Sequence, residues 1–176
     1  MKFYFFLELL ELSEDLTEVI DFERFDLKTN EPVLQTCCRK KDQNIVLSVR
    51  QKNRLTLLTT NGKWDMNLKW KKKVKKKKLI TCIDINSHCE DIVVTDICDD
   101  LQNINIYSID TGRKKFGLCR RCKGLDNNWN QVSFSDQNIF FMDRKNIRLI
   151  DTRVSRNSLK ELKIFQRKSL NFFIVF

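Results

Sequence analysis

The chain has 176 residues, 41% apolar and 10% aromatic, which is enough for one domain with a sizeable core. One Pro and four Gly exclude a collagen-like or low-complexity chain. The formal charge of +10 is silent on fold but favours nucleic acid, anionic lipid or an acidic protein surface as partner.

The charge is unevenly spread. Residues 1–34 carry nine acids (Glu8, Glu11, Glu14, Asp15, Glu18, Asp21, Glu23, Asp26, Glu31) against Lys2, Arg24 and Lys28, a net −6 that leaves +16 on the remainder. We read 1–34 as an acidic N-terminal segment and the rest as carrying a basic binding face. Apolar residues at mixed spacing (Phe6, Leu9, Leu10, Leu16, Val19, Ile20), with Ser13 ahead of an acidic turn, predict a short helix within 5–25. The stretch FYFFLELLEL (3–12) is interrupted by Glu8 and Glu11, and no small-residue cleavage site follows, so it is not read as a secretion signal. It is also too short and too charged to span a membrane, and no membrane partner is expected. Pro32 marks a break.

Beyond it, β-branched and aromatic residues come in short runs separated by Asn, Asp, Lys and Gly. NIVLSVRQKNRLTLLTTNG (44–62) predicts two strands joined at Gln51–Asn53. Further strands are predicted over 78–86, 90–98, 104–112, 114–118, 129–135, 138–144 and 146–153. Strands of this length with short turns indicate an antiparallel all-β fold.

The strands also repeat. NINIYSIDTG and KNIRLIDTR both carry Ile-Asp-Thr, with 41 residues between Asp110 and Asp151, and Gly62 precedes Gly112 by 50. A period of roughly 40–45 residues with four strands per unit marks propeller blades, in which the third strand of a WD-like blade ends at an acidic position. The expected fold is therefore a partial β-propeller of about three WD-like blades over 35–160, with 161–176 as a tail or truncated strand. The competing reading is a β-sandwich. Natural propellers close with about 4–8 blades. The expectation is thus a part of a larger propeller or a truncated reading frame.

Residues 69–78, KWKKKVKKKK, are eight-tenths Lys. Unpaired ammonium groups are costly to desolvate, so the run is expected as a solvated loop between blade strands. Lys69, Lys71, Lys72, Lys73, Lys75, Lys76, Lys77 and Lys78 are the candidate phosphate contacts; a nuclear-import signal and a plain solvated charge run are the alternatives. Trp64 and Trp70 would stack on bases or anchor the loop. The seven cysteines are irregularly spaced and read as reduced core thiols of an intracellular protein. Cys119 and Cys122 form a CxxC, at best half a zinc ribbon, which leaves a zinc-bearing RNA-binding protein as a third reading. His88 is the sole histidine and lies in a predicted turn, NSHCED, with Asp84, Glu90 and Asp91 near it in sequence. No GxGxxG, P-loop, HExxH or GxSxG occurs. The expectation is a non-enzymatic protein with no cofactor. Asp143, Arg144, Asp151 and Arg153 are expected at strand ends, pairing across the ladder, and Trp129 as a core or inter-blade anchor.

The stretch WNQVSF, then IFFMDR, then IRLIDTR resembles the most recognisable blade of a WD-like propeller family, the TATA-binding-protein-associated propeller component of the RNA polymerase I selectivity factor. The matching positions are Trp129, Val132, Phe134, Asp143, Arg144, Asp151 and Arg153. Met142 stands where that family has Ala, Thr152 where it has an apolar residue, and Ser135-Asp136-Gln137 replaces its His-Pro. The resemblance implies a propeller scaffold in an RNA polymerase I promoter-recognition complex, in the nucleus and nucleolus. Its partners would be TATA-binding protein, other selectivity-factor subunits, RNA polymerase I and promoter DNA. The alternative is a generic WD-repeat scaffold, a ubiquitin-ligase adaptor or trafficking component, that does not bind DNA.

Overall fold

The computed structural model describes residues 6–12, 19–27, 31–60, 66–75, 78–121, 131–142, 146–153 and 162–166. Among them every regular element is a strand: β1 Phe6–Leu12, β2 Val19–Asp26, β3 Gln35–Lys41, β4 Asn44–Arg50, β5 Arg54–Thr60, β6 Met66–Lys73, β7 Lys78–Ile85, β8 Asp91–Cys98, β9 Leu101–Ser108, β10 Lys114–Arg121, β11 Gln131–Ser135, β12 Asn138–Met142, β13 Asn146–Asp151 and β14 Leu162–Gln166. They form three four-stranded antiparallel meanders, β3–β6, β7–β10 and β11–β14, plus the hairpin β1–β2. The fold is all-β and propeller-like, as the repeat predicts. The outer strand of the third blade, β14, falls in the 161–176 segment, so that blade runs past residue 160.

Local chemistry explains the meanders. Two-residue turns link β3 to β4, β8 to β9 and β11 to β12, and Asp42, Asp99 and Asp136 open them at φ of 55°, 51° and 49°. Asp tolerates this left-handed conformation because its short side chain bonds its own backbone. The middle strands of the first two blades are apolar on both faces because those blades are covered on both sides, whereas β12 of the third blade alternates, with Ile139 and Phe141 buried and Phe140 exposed. On β8, Ile92 and Val94 turn toward the first blade, and Val93 toward the third. Val46, Leu55 and Leu57 close the first seam against Ile83, Ile85, Ile92, Val94 and Ile109. Ile104 and Ile106 close the second against Val132, Phe134, Ile139, Phe141 and Ile150. The strands β3, β7 and β11 are innermost and neighbour one another across the seams.

Two expectations are corrected. Of the predicted helix within 5–25, residues 5 and 13–18 lie outside the described residues, and the rest is instead the hairpin β1–β2, with Leu7 opposite Phe25 and Glu8 opposite Arg24. Val19, Ile20, Phe22 and Phe25 are β-branched or aromatic, types that lose χ1 freedom in a helix and fit a half-buried pleat. Phe25 and Leu27 pack on Leu47, Val49 and Leu58, and β2 lies beside β6. The hairpin thus stands where the third and fourth strands of a preceding blade would stand. The lysine run is also mostly strand and not loop, since β6 extends to Lys73 and β7 starts at Lys78; only Val74 and Lys75 are described between them.

Candidate functional site

The outermost strand of the first blade is β6, and it carries the first half of the lysine run. Pairing slips between Leu57–Trp70 and Leu58–Leu68, so Lys69 is an extra, bulged residue. The bulge lays β6 across the outer half of the second blade. Lys69 Nζ is 2.6 Å from Asp110 Oδ1, the Trp70 indole N–H donates to the Ile109 carbonyl at 2.8 Å, and Lys72 Nζ lies 3.7 Å from the Tyr107 ring centroid. As the β6 residue number rises, its partner's number falls in step, so the two segments run antiparallel across the seam. Gly112, at φ +65°, lies under the Trp70 ring; a Cβ there would stand 3.5 Å from the indole.

The strand's period of two then sorts the lysines. Lys72 turns toward the second blade, while Lys71 and Lys73 turn to the opposite face, exposed, and Lys75 is exposed beyond the strand end. Lys71, Lys73 and Lys75 have no carboxylate partner among the described residues. Lys78 opens β7 and reaches the buried Asp96 at 3.3 Å. Lys76 and Lys77 lie outside the described residues. Trp70 is an anchor and not a free stacking platform; Trp64 is not described.

The outermost strand of the second blade, β10, is also basic. Lys115 pairs with Asp91 at 2.6 Å, Arg120 holds Gln102 Oε1 at 3.0 Å, and Lys114 and Arg121 are exposed. Between β6 and β10 is a polar patch that sequence reasoning missed. Asp96 accepts from Asn103 Nδ2 at 2.7 Å and Asn105 Nδ2 at 2.9 Å besides Lys78. Burial, with the neighbouring Lys114 ammonium, holds Lys72 below the usual lysine range, and burial pushes the Tyr107 hydroxyl up, aided by Asp96. Hydrogen bonding and charge from Lys69 hold the Asp110 carboxyl down.

The remaining predicted residues are dispersed. Asp151 is paired not across the ladder but with Arg153 in its own turn: Nη2–Oδ2 is 2.6 Å and Nε–Oδ1 2.9 Å, because the chain bends back after β13. The hydrogen bonds from Arg153 bring the Asp151 carboxyl down to about 2. Trp129, Asp143, Arg144 and Cys122 lie outside the described residues, and Cys119 is exposed on β10. Among the described residues no cluster of three or more His, Cys, Asp or Glu could hold a metal. His88 meets Asp136 at 3.3 Å rather than an acid near it in sequence, and Ser87 bonds the same carboxylate. In a nucleophilic triad the imidazole stands between hydroxyl and carboxylate. Here the carboxylate stands between them, which makes this an inter-blade clip.

Sequence reasoning set Asp84 beside His88 and missed its role on β7. Asp84 accepts from the Cys37 thiol at 3.0 Å and the Phe134 N–H at 2.7 Å, so one carboxylate ties the three innermost strands. Burial, and then the bond to Asp84, push the Cys37 thiol up to about 12. Gln35 adds a second tie, exchanging two hydrogen bonds with the Ile83 backbone at 2.9 and 3.0 Å. No residue-type pattern marks Asp84 or Gln35 in the sequence, since their partners are 47 to 50 residues away.

No protein-family model matches the chain, and no curated protein matches it. Solved structures do, a propeller among them. The Dos1 propeller superposes with TM-score 0.64 at 10% identity, over 93% of this chain and 44% of that one. A protein of unknown function from Bacteroides caccae gives 0.57 at 12%, over 89% of this chain and 54% of that one. A functionally unknown protein from Desulfotomaculum acetoxidans gives 0.54 at 12%, over 90% and 47%. The chain spans about half the length of the solved structures it matches. At such identities the likeness concerns fold alone, and the fold is a β-propeller's.

Proposed function

We propose that this chain is a non-enzymatic propeller scaffold that holds duplex nucleic acid against the outer strands of its first two blades. The observation that carries the reading is the row Lys71, Lys73 and Lys75, exposed at the edge of β6 and without carboxylate partners among the described residues, with Lys114 and Arg121 exposed on β10. Such a row offers point charges to a phosphate backbone and no base-reading element, so binding is governed by charge and insensitive to sequence. The finer version rests on the resemblance at 129–153. There the duplex is promoter DNA, the partners are TATA-binding protein, the other selectivity-factor subunits and RNA polymerase I, and the site of action is the nucleolus.

The test is duplex binding by fluorescence anisotropy from about 50 to 200 mM salt, a window in which each phosphate contact contributes about 0.9 to the log–log slope. The triple variant Lys71→Gln, Lys73→Gln, Lys75→Gln is expected to flatten the slope by about 2–3. An unchanged slope removes the duplex from this strand. Co-purification then separates the partner readings: polymerase I components support the finer version, and ligase or vesicle-coat components replace it with the generic scaffold.

A further inference from the structure

Beside the exposed row lies a second basic feature, of which the duplex reading uses only Lys114. Lys72 and Lys114 approach one point of the first seam from different blades. Lys72 extends from β6 and rests on the Tyr107 ring. Lys114 is the ladder partner of Tyr107, and its side chain folds back over Gly117, where a Cβ would collide with Lys114 Cε and Nζ. The same hypothetical Cβ would stand 3.2 Å from Asn105 Oδ1, so the ammonium lies beside Asn105, which shares the seam-facing side of β9 with Tyr107. Two like charges are thus held near each other over Tyr107 and Asn105, with no carboxylate assigned to either among the described residues. The nearby acid, Asp96, already has Lys78, Asn103 and Asn105.

We infer that Lys72 and Lys114 form a seat for a terminal phosphate group, a phosphate monoester dianion, at the outer end of the seam between the first two blades. The charges facing the point are Lys72 on β6, Lys78 on β7, Asp96 on β8 and Lys114 on β10, with the neutral Tyr107 on β9. Lys78 and Asp96 cancel, and the remaining pair is matched by a dianion. A phosphodiester carries a single charge and leaves one cation uncompensated. Each ammonium has three N–H donors and a phosphate monoester three strong acceptor oxygens, so charge-assisted bonds form on both sides. Like-charge proximity and burial already disfavour the Lys72 cation, and a bound dianion relieves both. Gly117 is what leaves room for the Lys114 ammonium.

The site is tested with the whole chain by calorimetric titration of inorganic phosphate, phenyl phosphate and dimethyl phosphate at equal ionic strength in chloride, at pH 7.5. Inorganic and phenyl phosphate are expected to bind, and dimethyl phosphate at least tenfold more weakly. Lys72→Gln and Lys114→Gln are each expected to lose tenfold or more for phosphate. Gly117→Ala, which changes no charge and displaces Lys114, is expected to lose a similar factor. Lys71→Gln and Lys73→Gln are expected to stay within twofold. If Lys72→Gln destabilises the seam, Lys114→Gln and Gly117→Ala still decide the question. Phosphate binding no stronger than dimethyl phosphate binding overturns the seat. So does a loss shared equally by Lys71→Gln, or titrations unchanged in both Lys114→Gln and Gly117→Ala. An unchanged salt slope in the triple variant of Lys71, Lys73 and Lys75 leaves these titrations untouched, because they use no duplex and, of the duplex-facing charges, only Lys114.

Discussion

Asp84 offers the sharpest test of how the blades are held together. Its residue is 8% exposed, and its carboxylate collects the Phe134 N–H at 2.7 Å, the Ile85 N–H at 2.9 Å, the Cys37 thiol at 3.0 Å and the Arg39 guanidinium at 3.5 Å. The Arg39 side chain is 46% exposed, so its share is screened by solvent and small. The Phe134 bond matters most, because it crosses the second seam and is the shortest of the four. A buried donor left without an acceptor costs about 1–3 kcal/mol, and bonds to a charged acceptor contribute about 1.5–3 kcal/mol each. Asp84→Ala removes all of these together, so its expected cost is about 3–5 kcal/mol, a large part of the roughly 5–15 kcal/mol that holds a typical domain folded. Asp84→Asn keeps one acceptor oxygen and should cost about 1–2 kcal/mol. Asp136→Asn is the control: that side chain is exposed, Asn accepts its positive φ, and the change should stay within about 0.5 kcal/mol. The assay is urea unfolding followed by tryptophan fluorescence, with the midpoint falling in the order control, Asn, Ala and the slope unchanged. An Asp84→Ala midpoint equal to the control's would refute the claim that this carboxylate joins the blades.

Two further predictions concern single positions. Gly112→Ala is expected to cost about 1–2 kcal/mol from its left-handed backbone, not from crowding, since the new Cβ would be in ordinary contact with Trp70 at 3.5 Å. Gly112→Asn, a residue that tolerates this region, should recover much of the loss; an Ala variant as stable as the parent would remove the backbone argument. For Cys37, the folded thiol titrates near 12 against an ordinary 9.0, so the unfolded chain loses its proton first and stability falls as pH rises between those values. Urea midpoints of the parent and Cys37→Ser should therefore differ by an amount that shifts steadily in favour of the variant from pH 9 upward, and a constant difference would contradict the assignment.

Much of the fold was legible because its determinants are local. The turn acids Asp42, Asp99 and Asp136 set hairpins through their own φ preference. Runs such as NIVLSV and EDIVVTDI showed strands because β-branched side chains fit a pleat. The recurrence of Ile-Asp at 109–110 and 150–151 gave the blade period, and both pairs do lie at the ends of third strands. Three local signals misled. The Leu-rich, acid-rich stretch before residue 26 scored as helix, although its aromatic and β-branched half favours a hairpin. The strand β3, QTCCRKK, has too few apolar residues to stand out, and it is mostly exposed, unlike the equally innermost β7. The lysine run looked like a loop because charge density hides the alternation of Trp70 and Lys72 with Lys71 and Lys73 along β6.

The sequence by itself determined an antiparallel, repeating β chain with a concentrated basic stretch, since strand type, turn chemistry and charge are properties of neighbouring residues. Only the tertiary structure decided which lysines are free and which are committed. Lys69, Lys72 and Lys78 meet Asp110, Tyr107 and Asp96, each from 18 to 41 positions away or across a seam, whereas Lys71, Lys73 and Lys75 meet solvent. A single bulge at Lys69 sets that division, because in a strand a shift of one residue exchanges the two faces.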